Sequence, residues 1–214
     1  MPASGAWAQK RRLAAALRRI IDRLVLSAAP EEQLSRAAEA AERYAVTLEE
    51  HVQRKGQWGF AESANAGDVG AFFDQSPMIG LSNPLAPPLT LQAREGRIHG
   101  TGVFGAAYEG PPGHVHGGFV AAAFDEVLGF AQSLSGNPGM TGTLTVRYRR
   151  PTPLHTPLRF DAGVDRVEGR KIFTSGKLFA GETVTAEAEG IFVSVEPARF
   201  LAMMEASGNE TGRS

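Results

Sequence analysis

The stretch Tyr108–Phe130, YEGPPGHVHGGFVAAAFDEVLGF, decides how this chain is read. It joins a turn-rich loop (Glu109 to His116) to a glycine pair, Gly117 and Gly118, and then to an apolar run from Phe119. Val120, Ala123, Val127 and Ala131 recur at the i, i+3, i+4 spacing of a buried helical stripe. Asp125 sits in the middle of that apolar helix. A lone buried carboxylate is costly unless it is paired or neutralised, which makes Asp125 a candidate for chemistry. The competing reading is a charge on the exposed side of a half-buried helix. Glu126 beside it is either that exposed charge or a substitute base.

Helix geometry sharpens the point. Gly118 and Asp125 are seven residues apart, so they share a face but lie roughly 10 Å apart along the axis. The helix start offers free N–H groups and a positive dipole end, suited to an anion or a polarised carbonyl oxygen. A general base must come within about 3 Å of its proton or act through one water. If both groups serve one reaction, a second copy of the helix must run antiparallel alongside, so the chemistry calls for a dimer.

Working outward, the pattern predicts strands on both sides of this helix. Leu89–Arg94 and Ile98–Val103 flank a Glu95-Gly96-Arg97 turn. After the helix come Thr141–Arg150, Leu158–Val167, Ile172–Phe179 and Thr183–Val195, with turns at Glu168-Gly169-Arg170 and Ala180-Gly181-Glu182. Two strands, a long helix and four strands in tight hairpins make an α+β domain, an antiparallel sheet wrapped around one central helix. The domain is expected over 89–206, ending in a short helix near Ala198–Ala206, with 207–214 as a disordered tail.

Residues 1–53 read as an N-terminal helical extension. Its first helix is basic, with Lys10, Arg11, Arg12, Arg18, Arg19 and Arg23 against Asp22, and the second, from about Glu31 to Gln53, is acidic. The opposite charges suggest that the helices pair with each other or against the domain. A membrane-surface contact and an organellar transit peptide are the alternatives for the basic helix. Residues 54–88 form an irregular connector punctuated by glycine and proline. It carries too many large apolar residues, among them Trp58, Phe60, Phe72, Phe73 and Met78, for a free linker.

Composition bounds the function. The 214 residues allow one domain plus an extension, and 43% hydrophobic with 21% charged residues is ordinary for a globular protein. A net charge of −1 argues against a nucleic-acid partner. Without cysteine there is no disulfide, thiol nucleophile or thiolate metal site, which fits a cytoplasmic protein. No apolar run approaches the ~20 residues of a membrane span, so no stable membrane insertion is expected. His51, His99 and His155 show no compact ligand spacing beside His114 and His116, so no metal is expected.

The HGG sequence at His116-Gly117-Gly118, with an acid nine residues after the histidine, resembles hotdog-fold acyl-CoA thioesterases of the PaaI-like type. The segment Met140 to Leu154, MTGTLTVRYRRPTPL, resembles the strand after the helix in the thioesterase superfamily member 4 group. Asn83-Pro84-Leu85 and the YEGPPG loop fit the same group, and the likeness covers about residues 80 to 196. It implies a hotdog fold and hydrolysis of an acyl-CoA to free acid and CoA by a homodimer or dimer of dimers with shared sites.

The same resemblance implies the roles. Asp125 acts as general base or nucleophile and Gly117 as the oxyanion donor. His116 lies beside the thioester carbonyl or orders the loop, and Thr141 helps hold the attacking water. Gly118 lies against the substrate. Arg147, Arg149, Arg150 and Lys171 are candidates for the CoA phosphates, and Phe119, Phe124, Leu128 and Phe130 for an acyl tunnel. Coenzyme A is part of the substrate, and no separate cofactor is called for. Gly110 stands where some such enzymes carry a water-positioning asparagine. The alternatives are a non-catalytic acyl-CoA-binding or regulatory module and a hotdog hydratase or dehydratase.

Overall fold

The computed structural model describes residues 5–51, 74–87, 89–136 and 139–194. In chain order its elements are α1 (Gly5–Leu24), α2 (Glu31–Glu49), β1 (Thr90–Arg94), β2 (Arg97–Gly102), a 3-10 turn (Ala106–Tyr108), α3 (Gly117–Ser133), β3 (Gly139–Tyr148), β4 (Leu158–Glu168), β5 (Lys171–Ala180) and β6 (Thr183–Ser194). The six strands form one sheet in the order β1-β2-β4-β5-β6-β3, and every neighbouring pair is antiparallel.

Two-residue turns hold the sheet's hairpins. Glu95 and Gly96 both adopt positive φ, 52° and 73°, the handedness that matches the twist of the flanking strands. Gly169 and Gly181 take positive φ in the β4–β5 and β5–β6 turns. Inward positions alternate with outward ones, as in β6, where Ala186, Ala188 and Phe192 are buried while Glu187 and Glu189 face out.

α3 lies across the inward face. Its buried stripe is Val120, Ala123, Phe124, Val127, Leu128 and Ala131, extended by Gln132. These meet Ile98, Leu158, Phe160, Ile172, Leu178 and Phe192 from the strands and Phe104 from the segment after β2. Phe124 packs edge-on to Phe160 at 5.4 Å between ring centres. Large core side chains of this kind each contribute about 1.5–3 kcal/mol on burial.

The predicted helix begins two residues early. Gly117 and Gly118 form its first turn, because His116 supplies the N-cap that a glycine pair cannot.

α1 docks on the domain through polar contacts. Asp74, 5% exposed, accepts from Trp7 Nε1, from Arg11 Nε at 2.7 Å and from the Ser82 hydroxyl. Arg18 donates to the carbonyls of Asn83 and Leu81, and Asp22 accepts from the Ala107 amide beside the 3-10 turn. The connector residues 74–87 are therefore an ordered wedge between α1 and the domain, with Met78 buried.

α2 departs from expectation. It ends at Glu49, and every one of its residues is exposed. It pairs neither with α1 nor with the domain, and its ion pairs, Arg36–Glu32 and Arg43–Glu39, stay within the helix. Trp58, Phe60, Phe72 and Phe73, the predicted terminal helix and the predicted tail lie outside the described residues.

Candidate active site

His116 is the N-cap of α3. Its Nδ1 accepts the Gly118 N–H at 3.0 Å, and its carbonyl accepts the Phe119 N–H at 2.9 Å. A backbone N–H can only donate, so Nδ1 offers its lone pair and the neutral ring carries its hydrogen on Nε2. Of the donors in the first turn, Gly118 and Phe119 are thereby satisfied. The Gly117 N–H has no partner among the described residues. The free donor of this helix end is Gly117, whereas Gly118, expected against the substrate, already binds His116.

The loop before it is held on several sides. The His116 N–H donates to Tyr108 O at 2.8 Å, Val115 N–H to Thr152 O at 2.8 Å, and Gly113 N–H to Glu109 Oε1 at 2.6 Å. A Cβ on Gly110 would lie 2.7 Å from His116 Cα, so this backbone has no room for an asparagine there. Tyr108 stands between Phe104 and Phe119, edge-on to both. Burial pushes its phenol pKa up, Arg18 opposes the shift and Asp22 adds to it.

From β3, the Tyr148 hydroxyl donates to Gly117 O at 2.7 Å. Its ring lies 3.3 Å from where a Gly117 Cβ would stand. Tyr148 thus braces the residue that carries the free N–H, and sequence reasoning gave it no role.

Asp125 and Glu126, neighbours on α3, have different surroundings. Asp125 is only partly buried, on the flank of α3, and its Oδ1 accepts the Thr141 hydroxyl hydrogen at 2.8 Å. The carboxylate on which burial acts is Glu126. Burial raises its pKa, the hydrogen bond from the Ser76 hydroxyl at 3.0 Å opposes this, and the charge of Asp125 adds to the rise. Ser76 also accepts the amides of Met78 and Ile79, so the connector is pinned next to Asp125.

A bulge delivers Thr141 to Asp125. In β3, Thr141 pairs with Phe192 and Thr143 with Ile191, leaving Gly142 as an extra residue. Plain alternation would put Thr141 on the outward side with Thr143, Thr145 and Arg147. The extra residue reverses the phase, and Thr141 shares the inward side with Leu144 and Val146, which pack on the core.

The basic candidates lie elsewhere. Arg147 binds Glu189 at 2.6 Å and Arg149 binds Glu187 at 2.7 Å, on the sheet face opposite α3. Arg97–Asp161 and Lys177–Glu187 continue this ladder of alternating charge. Arg150 and Lys171 are exposed, and neither contacts Asp125 or the helix start. Within one protomer, none of the four joins the Asp125 group, because cross-strand glutamates capture the first two. Phe124 and Leu128, expected to line an acyl tunnel, are fully buried core residues, while Phe119 and Phe130 remain half-buried.

Among the described residues no group of three or more His, Cys, Asp or Glu could hold a metal ion, and no helix is long and apolar enough to cross a membrane.

A six-stranded antiparallel sheet wrapped on one long helix, with a glycine at the helix start and a carboxylate on its flank, defines a hotdog-fold protein. A family model described as the thioesterase superfamily matches residues 112–187. The crystal structure of a thioesterase superfamily protein is similar at 37% identity, covering 90% of this chain and 93% of that one, with a TM-score of 0.77. The chain belongs to the thioesterase superfamily. Among curated proteins it is 36% identical over 95 residues to acyl-coenzyme A thioesterase THEM4 of Xenopus laevis, covering 44% of this chain and 43% of that protein. It is 31% identical over 94 residues to acyl-coenzyme A thioesterase THEM5 of Homo sapiens, covering 43% and 38%. The match thus spans about two fifths of the length of these curated relatives.

Proposed function

We propose that the protein is an acyl-CoA thioesterase, hydrolysing the thioester to free acid and coenzyme A. The observation that carries this is the Thr141–Asp125 pair, a carboxylate held by a hydroxyl on the open flank of α3. Asp125 acts as general base on water or as nucleophile, and Thr141 orients it. The Gly117 N–H, with the positive end of α3 behind it, stabilises the oxyanion; losing one such donor typically costs roughly 3 kcal/mol. His116 orders the helix start by capping it.

Gly117 and Asp125 of one helix are about 12 Å apart at ~1.5 Å per residue, too far to share one carbonyl. The reading therefore uses two protomers, with Gly117 of one facing Asp125 of the other, in a homodimer or dimer of dimers. β3 supports this as a ten-residue edge strand beside the site. Coenzyme A enters as part of the substrate, and the reading calls for no separate cofactor and for residence in the cytoplasm. Because Arg147 and Arg149 already hold glutamates, any cation that meets the CoA phosphates in this reading comes from a partner protomer or from exposed Arg150 and Lys171.

The test is release of free thiol from a panel of acyl-CoAs of varied chain length plus an aryl one, with Asp125→Ala alongside. The expected result is turnover that falls at least about 10²-fold in the variant while its fold persists. Binding of acyl-CoA without thiol release across the panel would replace the enzyme with a non-catalytic binding module.

A further inference from the structure

The exposed arm formed by α1 and α2 carries two faces that fit each other but do not meet within one chain. On α2, Leu34, Ala37, Ala38, Ala41, Tyr44, Ala45 and Leu48 fall within about 60° on either side of Ala41 at 100° per residue, with no charged residue among them. All of them are exposed, Leu34, Tyr44 and Leu48 at 40%, 45% and 44%. Amphipathic helices in proteins are held chiefly by burying the apolar face, and no residue of the nineteen in α2 is buried. Glu31, Glu42 and Glu49 border this stripe along one side, while Glu32 and Glu39 lie on the far side paired with Arg36 and Arg43.

The last turn of α1 and the residues after it present the counterpart. Ile20, Ile21, Leu24, Val25 and Leu26 are 41–68% exposed, Arg19 and Arg23 are exposed beside them, and Arg12 is exposed about two turns earlier. The other arginines of α1 are engaged, Arg11 with Asp74 and Arg18 with two carbonyls. The basic, apolar end of α1 and the acidic, apolar stripe of α2 are therefore complementary in charge and in hydropathy.

The short link between them keeps them apart. The link ends on Pro30, extended at φ −60° and ψ 150°, and every residue of α2 beyond it is exposed. A short link that prevents an element from closing on its own chain, while its surface fits that chain, is the geometry of exchange between identical subunits.

We propose that α2 docks on the α1 end of a second copy of this chain, so that two protomers exchange acidic arms. This does not rest on the thioesterase reading, since the arm residues take no part in the Asp125 and Gly117 chemistry.

The chain has no cysteine, which makes the test direct. Ile20→Cys and Ala41→Cys are introduced into separate full-length chains, the two are co-expressed, and a short bis-maleimide is added. A cross-linked dimer containing one of each is expected, with far less from either variant alone. Reversing the α1 charges (Arg12, Arg19 and Arg23 to Glu) in the chain carrying Ala41→Cys removes only the reciprocal contact and leaves the cross-linked one, in which that chain contributes α2. Placing the same reversal in the chain carrying Ile20→Cys abolishes it. Adding Glu31→Lys, Glu42→Lys and Glu49→Lys to the Ala41→Cys chain then restores it. Circular dichroism establishes that each variant is folded. No cross-link in folded protein, equal cross-linking of Ala41→Cys with itself, or a cross-link indifferent to the charge reversal would each overturn the exchange.

Discussion

Thr141 donates its hydroxyl hydrogen to Oδ1 of Asp125 at 2.8 Å, from a strand on which the neighbouring threonines, Thr143 and Thr145, face the other way. A hydrogen bond to a charged group is worth about 1.5–3 kcal/mol, or roughly 10- to 150-fold in rate if it acts fully in the transition state. Thr141→Val is expected to lower kcat by a factor in that range with little change in KM, and Thr141→Ser to recover most of it. Thiol-release kinetics of both variants check this, and an unchanged kcat in Thr141→Val would remove Thr141 from the chemistry.

Tyr148 supplies one hydrogen bond, to Gly117 O, and a ring that fills the space beside that glycine. Tyr148→Phe keeps the ring and removes the bond, which predicts a stability loss of about 0.5–1.5 kcal/mol in urea unfolding. Gly117→Ala brings a Cβ to 3.3 Å from the Tyr148 ring, so it disturbs the same helix start by crowding. Combining the two substitutions should give less than the sum of their separate effects, since both act through one contact.

Glu126 gives the protein a pH-dependent stability. Its folded pKa lies above the ordinary glutamate value of 4.5, chiefly through burial. Over the window that begins there and extends upward to the folded pKa, the folded state binds more protons than the unfolded state. Stability from this group is therefore present below the window and declines as pH rises through it. Glu126→Gln removes the decline and keeps an oxygen that can accept from Ser76. The difference in unfolding free energy between variant and wild type should shift in favour of the variant from pH 4.5 to neutrality, and a difference constant with pH would contradict the assignment.

Asp74 joins Trp7, Arg11 and Ser82 at one buried carboxylate. Removing one partner of a buried ion pair typically costs roughly 3–5 kcal/mol, and here the value should fall at or below the lower end because Arg11 is 25% exposed. Asp74→Ala is expected to release α1 from the connector, with a shift in the fluorescence of Trp7. Replacing Trp58 by Phe in both proteins isolates that signal, since the chain has two tryptophans.

The sheet and the central helix were legible because period and punctuation agree. Glu95-Gly96 closes a hairpin whose two positive φ values suit that pair, and alternation through Ala186, Glu187, Ala188 and Glu189 separates the faces of β6. The partnership of Thr141 and Asp125 was not legible from alternation, which puts Thr141 on the wrong face; only the resemblance brought them together. Arg147 and Arg149 looked available because a local pattern does not say which glutamates lie across the ladder. Asp125 and Glu126 are neighbours in sequence, and helical period alone leaves open which one the connector covers. That depended on Ser76, fifty residues upstream in a segment without periodicity. The opposite charges of α1 and α2 were plain, but charge does not reveal whether two surfaces meet in one chain or between chains.

The spare residue in β3 has a consequence for how the strand can vary. From Thr143 onward, alternation and core packing are fixed by Leu144 and Val146, and the segment before Gly142 keeps its own phase. The strand works as a sliding joint between two rulers. Moving the extra residue one step toward the C-terminus would leave Thr141 opposite Phe192, and so facing α3, with both rulers intact. Pairing Gly142 in the ladder instead of bulging it out would turn every side chain on the N-terminal side about, Met140 inward and Thr141 outward, with no change to the side chains of the core. A position that bears no side chain therefore decides which side chain meets the carboxylate.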